Sequence, residues 1–286
     1  MEISKEDILA TKPDCRSAAA LEQQAENVAI GKTKLEPVRC FVLSILAGMM
    51  IGMGATFMLL VKGDSTLSFS VSQVFGAACF SLGLICVVVA GAELFTGNAL
   101  MVCAAASKKI SWGALIKNWV IVYVGNLVGS LLLVAIIFFA NFAGMNSGAV
   151  GNAMINVAYS KASLGWDVIF FRGIMCNILV CLAVWMGFAG RTVIDKIFTC
   201  IFPVTAFVAC GFEHCVANMF FLPMGVLTFN TIGYTGEIAA DKLAAMEQVM
   251  NLGGIVWNIS AATLGNIVGG AVLVGLLYWI AYRKKA

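Results

Sequence analysis

The sequence predicts an all-α membrane protein: six transmembrane helices in two inverted three-helix repeats, with helices 2 and 5 broken. Three observations predict it. Apolar types (AVILMFWYC) make up 61% of the 286 residues and charged types only 12%, whereas a soluble domain carries about 25% charged residues. So few charges cannot cover a water-facing surface of this size, so the surrounding solvent is lipid. Charge-free runs of span length recur along the chain. Two of these runs, at matching places in the two halves, are overlong and carry ionisable residues at their centres, the pattern of interrupted helices around a transport site. The same composition excludes a soluble enzyme, and a net charge of +3 is too weak for a nucleic-acid footprint.

The elements follow in order. Residues 1–37 are polar and mixed in charge, with apolar or small positions such as Ile8, Leu9, Leu21, Ala25, Val28 and Ala29. They read as a tail with a short amphipathic helix on the membrane surface, or as a solvated tail. No signal-peptide core stands near the start, so no cleavage is expected. Cys40–Val61 is free of charge and spans once. Val71–Ser107 carries only Glu93, and is too long for one span and too short for two. Ile110–Asn141, with only Lys117, is the third span. Residues 142–166 are rich in Gly, Asn and Ser and read as a loop. Val168–Gly190, with Arg172 near its start, is the fourth span; Ile197–Gly236 is interrupted only by Glu213-His214; Gln248–Tyr282 holds the sixth, from about Gly254. Residues 38–282 thus form one transmembrane domain, with repeat one at about 38–142, repeat two at about 163–282, and 283–286 as the C-terminal end.

Internal matches support a duplication. Gly125-Asn126-Leu127-Val128-Gly129 matches Gly265-Asn266-Ile267-Val268-Gly269 at an offset of 140, and Glu93 with Asn98 matches Glu213 with Asn218 at 120. Arg39 with Met53-Gly54 matches Arg172 with Met186-Gly187 at 133. Three crossings per half make the repeats inverted. Placing both termini on one side puts 14 of the 18 Lys and Arg there, Lys5, Lys12, Lys284 and Lys285 among them, and leaves Lys62, Lys161, Arg172 and Lys242 on the other. The positive-inside rule then makes both ends cytoplasmic and turns Lys161 outward.

Backbone that leaves the helix inside a bilayer must be buried in protein or face a watery cavity. The first break is expected over residues 90–98, with Gly91 and Gly97 allowing turns and Thr96 or Asn98 capping the next half-helix. The second is expected over 211–218. Each new half-helix aims a positive N-terminus at the membrane middle, which favours an anion or a polar solute. His214 is the only histidine, and an ionisable residue at that depth is functional by default. Glu93 and Glu213 can instead serve as scaffold, bonding unpaired N–H groups. The ten cysteines form no C-x-x-C pair. With one histidine, neither a zinc site nor a bis-His haem is expected, nor any other cofactor.

Ala92-Glu93-Leu94-Phe95-Thr96, and Gly211-Phe212-Glu213-His214 followed by Ala217-Asn218-Met219-Phe220, resemble the two signature regions of the formate/nitrite transporter family. Cys79-Phe80-Ser81-Leu82-Gly83-Leu84, Lys117-Asn118-Trp119, the Gly125–Gly129 stretch and Leu182-Ala183-Val184-Trp185-Met186 are similar too. The resemblance runs from about residue 35 to 282 and is nearest to the bacterial formate channel. It implies an aquaporin-like protomer, a homopentamer with one pore per protomer, in lipid of the bacterial inner membrane. It implies a small monovalent anion as substrate, formate first, with nitrite or hydrosulfide as alternatives. By the same resemblance the mobile loop maps onto 90–98, with Thr96 contacting His214. The apolar constrictions map onto Phe80 with Phe207 outside and Leu84 with Leu94 inside. Lys161 becomes the anion-attracting vestibule lysine, Asn177 the pore-region asparagine, and the N-terminal tail a pH-responsive plug.

A bare anion at mid-bilayer is costly, and Phe and Leu offer it no hydrogen bond. The expected course has Lys161 concentrate the anion, His214 and Thr96 receive it, and a shared or transferred proton carry it onward as the neutral acid. Passage of the anion with His214 as hydrogen-bond donor only is the alternative. A membrane-embedded acid–base enzyme using Glu93, Glu213 and His214 is the rival class, and no metal or cofactor motif accompanies it.

Overall fold

The computed structural model describes residues 15–283; the expectations for Lys5, Ile8, Leu9, Lys12, Lys284 and Lys285 lie outside the described residues. The helices are α1 (Ala18–Thr33), α2 (Pro37–Lys62), α3 (Phe69–Ala90), α4 (Phe95–Ala106), α5 (Trp112–Phe139), α6 (Ala149–Ala162), α7 (Trp166–Ala189), α8 (Val193–Ala209), α9 (Cys215–Thr231), α10 (Ala240–Val249) and α11 (Leu252–Tyr282). No strand occurs among the described residues. Helices α2, α3, α5, α7 and α11 are long and apolar enough to cross a membrane, and α4 and α9 are shorter apolar helices.

Local chemistry sets the helix starts. Pro37 opens α2, where its missing N–H costs nothing. The Ser111 hydroxyl accepts from Ala114 N–H at 3.1 Å to cap α5, Thr192 and Asp195 form a capping box at α8, and Asn251 caps α11. Gly91 (φ 81°) ends α3 and Gly211 (φ 69°) follows α8, both in the left-handed region that glycine enters without a Cβ penalty. The unwound stretches are therefore residues 91–94 and 210–214, shorter than expected. Gly97 lies inside α4 without a positive φ, and Asn98 and Asn218 lie inside α4 and α9. Neither Thr96 nor Asn98 caps α4: its N-cap is Leu94, with no side-chain bond. These positions are corrections to the sequence reading.

Residues 142–166 are likewise not a loop. They contain α6, whose Val150, Ala153, Met154, Ala158 and Ala162 are buried at helical spacing. Gly, Asn and Ser lower intrinsic helix propensity, but packing overrides propensity here: Gly151 lies against the Ala143 carbonyl and Ala158 against Gly225.

The two halves pack alike. A Cβ on Gly129 of α5 would collide with the Ile45 carbonyl of α2, and one on Gly269 of α11 with the Ile174 carbonyl of α7. These glycines let backbones approach closely, as small residues do between membrane helices. The contacts give α2 and α7 an offset of 129, not 133. Leu43, rather than Arg39, is the counterpart of Arg172, and the Met-Gly matches at 133 are coincidental. Large apolar side chains such as Phe57, Phe69, Phe139, Phe171 and Phe202 are exposed around the bundle, which suits a lipid surround. The contact pattern predicts that Gly129→Ala and Gly269→Ala each lower stability by about 1–3 kcal/mol through forced separation of helices. Gly31→Ala, which meets open space, should raise it by about 0.5–1 kcal/mol. Thermal unfolding in detergent checks both, and wild-type behaviour of Gly129→Ala would refute the close-approach role.

Candidate functional site

The unwound stretches expose backbone groups that need partners inside the protein. Two asparagines supply them. The Asn126 side chain of α5 accepts from Phe95 N–H at 2.9 Å and donates to the Ser44 and Glu93 carbonyls at 2.8 and 2.9 Å. The Asn266 side chain of α11 accepts from Cys215 N–H at 2.9 Å and donates to the Gly173 and Glu213 carbonyls at 2.8 and 2.9 Å. Both asparagines are fully buried.

A second duplicated set holds each carboxylate. Glu93 accepts from Lys32 Nζ at 2.6 Å and from Asn98 at 2.8 Å, and Asn98 also donates to Asn118 at 2.9 Å. Glu213 accepts from Lys161 Nζ at 3.0 Å and from Asn218 at 2.6 Å, and Asn218 also donates to Asn258 at 2.7 Å. Lys32 on α1 and Lys161 on α6 differ by 129, the offset that relates α2 to α7, so each half begins with a helix delivering a lysine to the break. Each carboxylate thus ties its half-helix to a lysine from a neighbouring helix. Buried in this way they require the partner charge: removing one member of a buried pair costs about 3–5 kcal/mol, because the other charge is left uncompensated.

Where the half-helices meet, symmetry ends. His214 is the N-cap of α9, and its Nδ1 accepts from Ala217 N–H at 3.0 Å. In the neutral ring that bond assigns the proton to Nε2, which faces Thr96 Oγ1 at 2.9 Å. At an offset of 120 the counterparts of His214 and Thr96 are Leu94 and Val216. Asn177 braces this junction from α7: it donates to the Thr96 carbonyl at 3.2 Å and the Asn266 carbonyl at 2.7 Å, and borders neither flanking cavity. Its bonds hold the Thr96 and Asn266 carbonyls in place. The first half has no such brace, because Gly48 stands where Asn177 would be. The Asn266 carbonyl lies just before a π-helical stretch, Val268–Leu276, where the regular ladder changes register.

A cavity lies on each side of the junction. The α1-side vestibule, about 200 Å³, is lined by Lys32, Leu84, Glu93, Leu94, Gly97 and Asn98 among others. The α6-side vestibule, about 320 Å³, is lined by Lys62, Phe80, Lys161, Arg172, Phe207, Glu213 and His214 among others. Phe80 meets Phe207 edge to face at 6.0 Å and stacks on Phe221 at 6.1 Å, and Phe207 stacks on His214 at 5.8 Å.

The structure brings His214, Thr96, Glu213 and Lys161 together, and places Leu84 with Leu94 on one side and Phe80 with Phe207 on the other. Sequence reasoning missed Lys32, Asn118, Asn258 and Phe221 as members of the site, and the bracing done by Asn126 and Asn266. The spacing of Lys32 to Lys161 was a usable signal for the first. Asn126→Ala and Asn266→Ala should each cost several kcal/mol, at about 1–3 kcal/mol per buried group left unpaired. Asn126→Asp keeps the acceptor for Phe95 N–H but turns a carboxyl with no cationic partner toward the Ser44 and Glu93 carbonyls in a fully buried site, so it should cost at least as much as Asn126→Ala. Chemical denaturation in detergent measures the order, and Asn126→Asp clearly milder than Asn126→Ala would contradict it.

The formate/nitrite transporter model matches residues 19–280. Formate channel FocA of Escherichia coli (strain K12) is 40% identical over 271 residues, covering 93% of this chain and 94% of that protein. Formate channel FocA of Haemophilus influenzae is 40% identical over 255 residues, covering 88% of this chain and 89% of that protein. A solved structure described as a pentameric formate channel with formate bound superposes with a TM-score of 0.77 at 41% identity, covering 87% of this chain and 98% of that one. A paired, twice-built scaffold around one buried imidazole therefore coincides with likeness along nearly the whole chain: this protein belongs to the formate/nitrite transporter family.

Proposed function

We propose that this chain conducts formate across a bacterial inner membrane as a pentamer with one passage per protomer, carrying the anion through chemically unchanged. Both termini are cytoplasmic in this reading, so the α1-side vestibule faces inward and the α6-side vestibule outward. The names of the relatives support formate over nitrite and hydrosulfide. The observation that carries the proposal is the Thr96–His214 contact at 2.9 Å, lying between two cavities and at the start of a half-helix.

The tautomer sharpens the mechanism. With Nδ1 occupied by Ala217 N–H, neutral His214 offers one N–H, at Nε2. A second ring proton would break the cap and set a cation against a positive helix terminus. A neutral imidazole is also a far weaker acid than a carboxylic acid, so it cannot hand its remaining proton to formate. The geometry therefore favours His214 and Thr96 as hydrogen-bond donors to the carboxylate, in place of the proton transfer expected from sequence. His214→Ala should reduce formate flux into proteoliposomes by about 10–100-fold, the equivalent of one charge-assisted hydrogen bond of about 1.5–3 kcal/mol. Wild-type flux by a folded His214→Ala protein at every pH would refute the role, and wild-type protein passing nitrite or hydrosulfide but no formate would refute the substrate.

Helix α1 lies over the inner vestibule, where Ala25, Val28, Ala29 and Lys32 line the cavity. On its buried face Glu22 sits beside Glu26, which is paired with Lys109. Burial first, then the Glu26 charge, raise the Glu22 carboxyl from 4.5 to about 7. A raised carboxyl favours the docked helix fully below the ordinary carboxylate range, and that contribution is lost as pH rises through about 7. The protection factors of the α1 amides, taken relative to the intrinsic exchange rate at each pH, should therefore fall between pH 5 and 8, and Glu22→Gln should flatten that fall; a fall that survives Glu22→Gln would exclude this group.

A further inference from the structure

We infer that the positive charge drawing small anions into the α6-side vestibule resides on Lys62 and Arg172, and not on Lys161. The inference rests on the proposed anion conduction. The cavity wall carries three fixed cations, Lys62, Lys161 and Arg172, against one carboxylate, Glu213. Lys161 and Glu213 are joined at 3.0 Å, with side-chain exposures of 14% and 2%. To an anion entering the cavity such a pair is a dipole, whose field fades faster than that of a lone charge. The other two cations have only neutral partners among the described residues. Lys62 Nζ is bonded by the Gln73 side-chain oxygen. The Arg172 guanidinium donates to the Gly211 carbonyl at 3.4 Å, at the second unwound stretch and three residues ahead of His214. Asp64, two residues from Lys62, is half-buried, does not line this cavity and spends one oxygen on Thr66 N–H and hydroxyl. The cavity therefore keeps an excess of two positive charges within low-dielectric walls, which focus the field and raise the local anion concentration.

The duplicated scaffold reinforces the assignment. Lys161 has a structural counterpart, Lys32, with the same carboxylate duty on the other side. Arg172 has none, because Leu43 stands in its place in the first half. A residue repeated in both halves is explained by holding each break together. A cation present in only one half, bonded to no acid and facing a cavity, is not explained by that duty.

A probe of local potential tests this without relying on transport. In a Cys15→Ser/Cys210→Ser background, which removes two exposed thiols, Ser160→Cys places a thiol on the same cavity wall. The reaction rates of an anionic and a cationic methanethiosulfonate of similar size are compared, with formate half-saturation measured in the same vesicles at low and high salt. Lys62→Gln and Arg172→Gln should each lower the anionic-to-cationic rate ratio several-fold and raise half-saturation several-fold at low salt, with maximal flux retained. Arg172→Lys should restore both. Replacing the pair together, Lys161→Gln/Glu213→Gln, should leave the rate ratio near wild type. An unchanged ratio in Lys62→Gln/Arg172→Gln overturns the inference, and so does a lowered ratio with unchanged half-saturation, or a fall for the pair variant as large as for Arg172→Gln. Wild-type vesicles that pass no formate, with a ratio that still answers to Lys62 and Arg172, would retire formate as substrate and uphold the charge assignment for another small anion.

Discussion

The structure depends on satisfying backbone polar groups where the chain stops being helical inside an apolar slab. Lipid offers those groups nothing, and each left bare costs several kcal/mol. Asn126 and Asn266 meet this constraint with one side chain per break: an amide both donates and accepts, so it can bind an unwound carbonyl and the first N–H of the next half-helix at once. A hydroxyl has one proton to give where two carbonyls each take one, and an ionised carboxylate has none. The close approach of α5 to α2 and of α11 to α7, enforced by glycines in the same five-residue stretches, is what brings each amide within reach.

On this doubled frame, the proposed passage draws on the few positions where the halves differ. His214 replaces a leucine, Thr96 a valine, Asn177 a glycine and Arg172 a leucine. They lie on α4, on α7 and at the N-cap of α9; the first three meet at one junction, and Arg172 bonds the Gly211 carbonyl. The frame alone would be an apolar seal between two cavities. The substitutions place hydrogen-bond donors at the seal, a brace behind them and a cation at one mouth. Each extra polar group at mid-depth is tolerated because it is bonded on arrival: His214 by Ala217 N–H, Asn177 by two carbonyls.

Much of this was legible in the sequence. The spans, the two interruptions and the Gly-Asn-x-Val-Gly repeat are patterns of composition and spacing, and lipid punishes any departure from them. What failed is instructive. The α6 segment was read as a loop because Gly, Asn and Ser report local preference, while its helix is held by burial against Gly225 and the neighbouring elements. The register of α2 against α7 was misread by four residues because Arg and Met-Gly matches carry little information beside a glycine seated on a carbonyl. Lys32 was passed over because it lies in a polar stretch; only the fold shows that it crosses to Glu93. Gly97 was credited with a turn that Gly91 makes alone.

The cancellation of Lys161 by Glu213 bears on how a passage can be both attractive and fast. Conduction needs a site favourable enough to enter and weak enough to leave. A bare ammonium beside the junction, in a low dielectric, would hold a monovalent anion too firmly, because Coulomb attraction there is many times its value in water. Tying each central lysine to a carboxylate removes that trap while keeping the half-helices in place. In the proposed passage, what remains at the Thr96–His214 contact is an imidazole, a hydroxyl and two helix N-termini, which would hold an oxyanion through dipoles that fall off steeply with distance. In the proposed assignment, net charge is left on Lys62 and Arg172, neither of which is bonded to the Thr96–His214 pair.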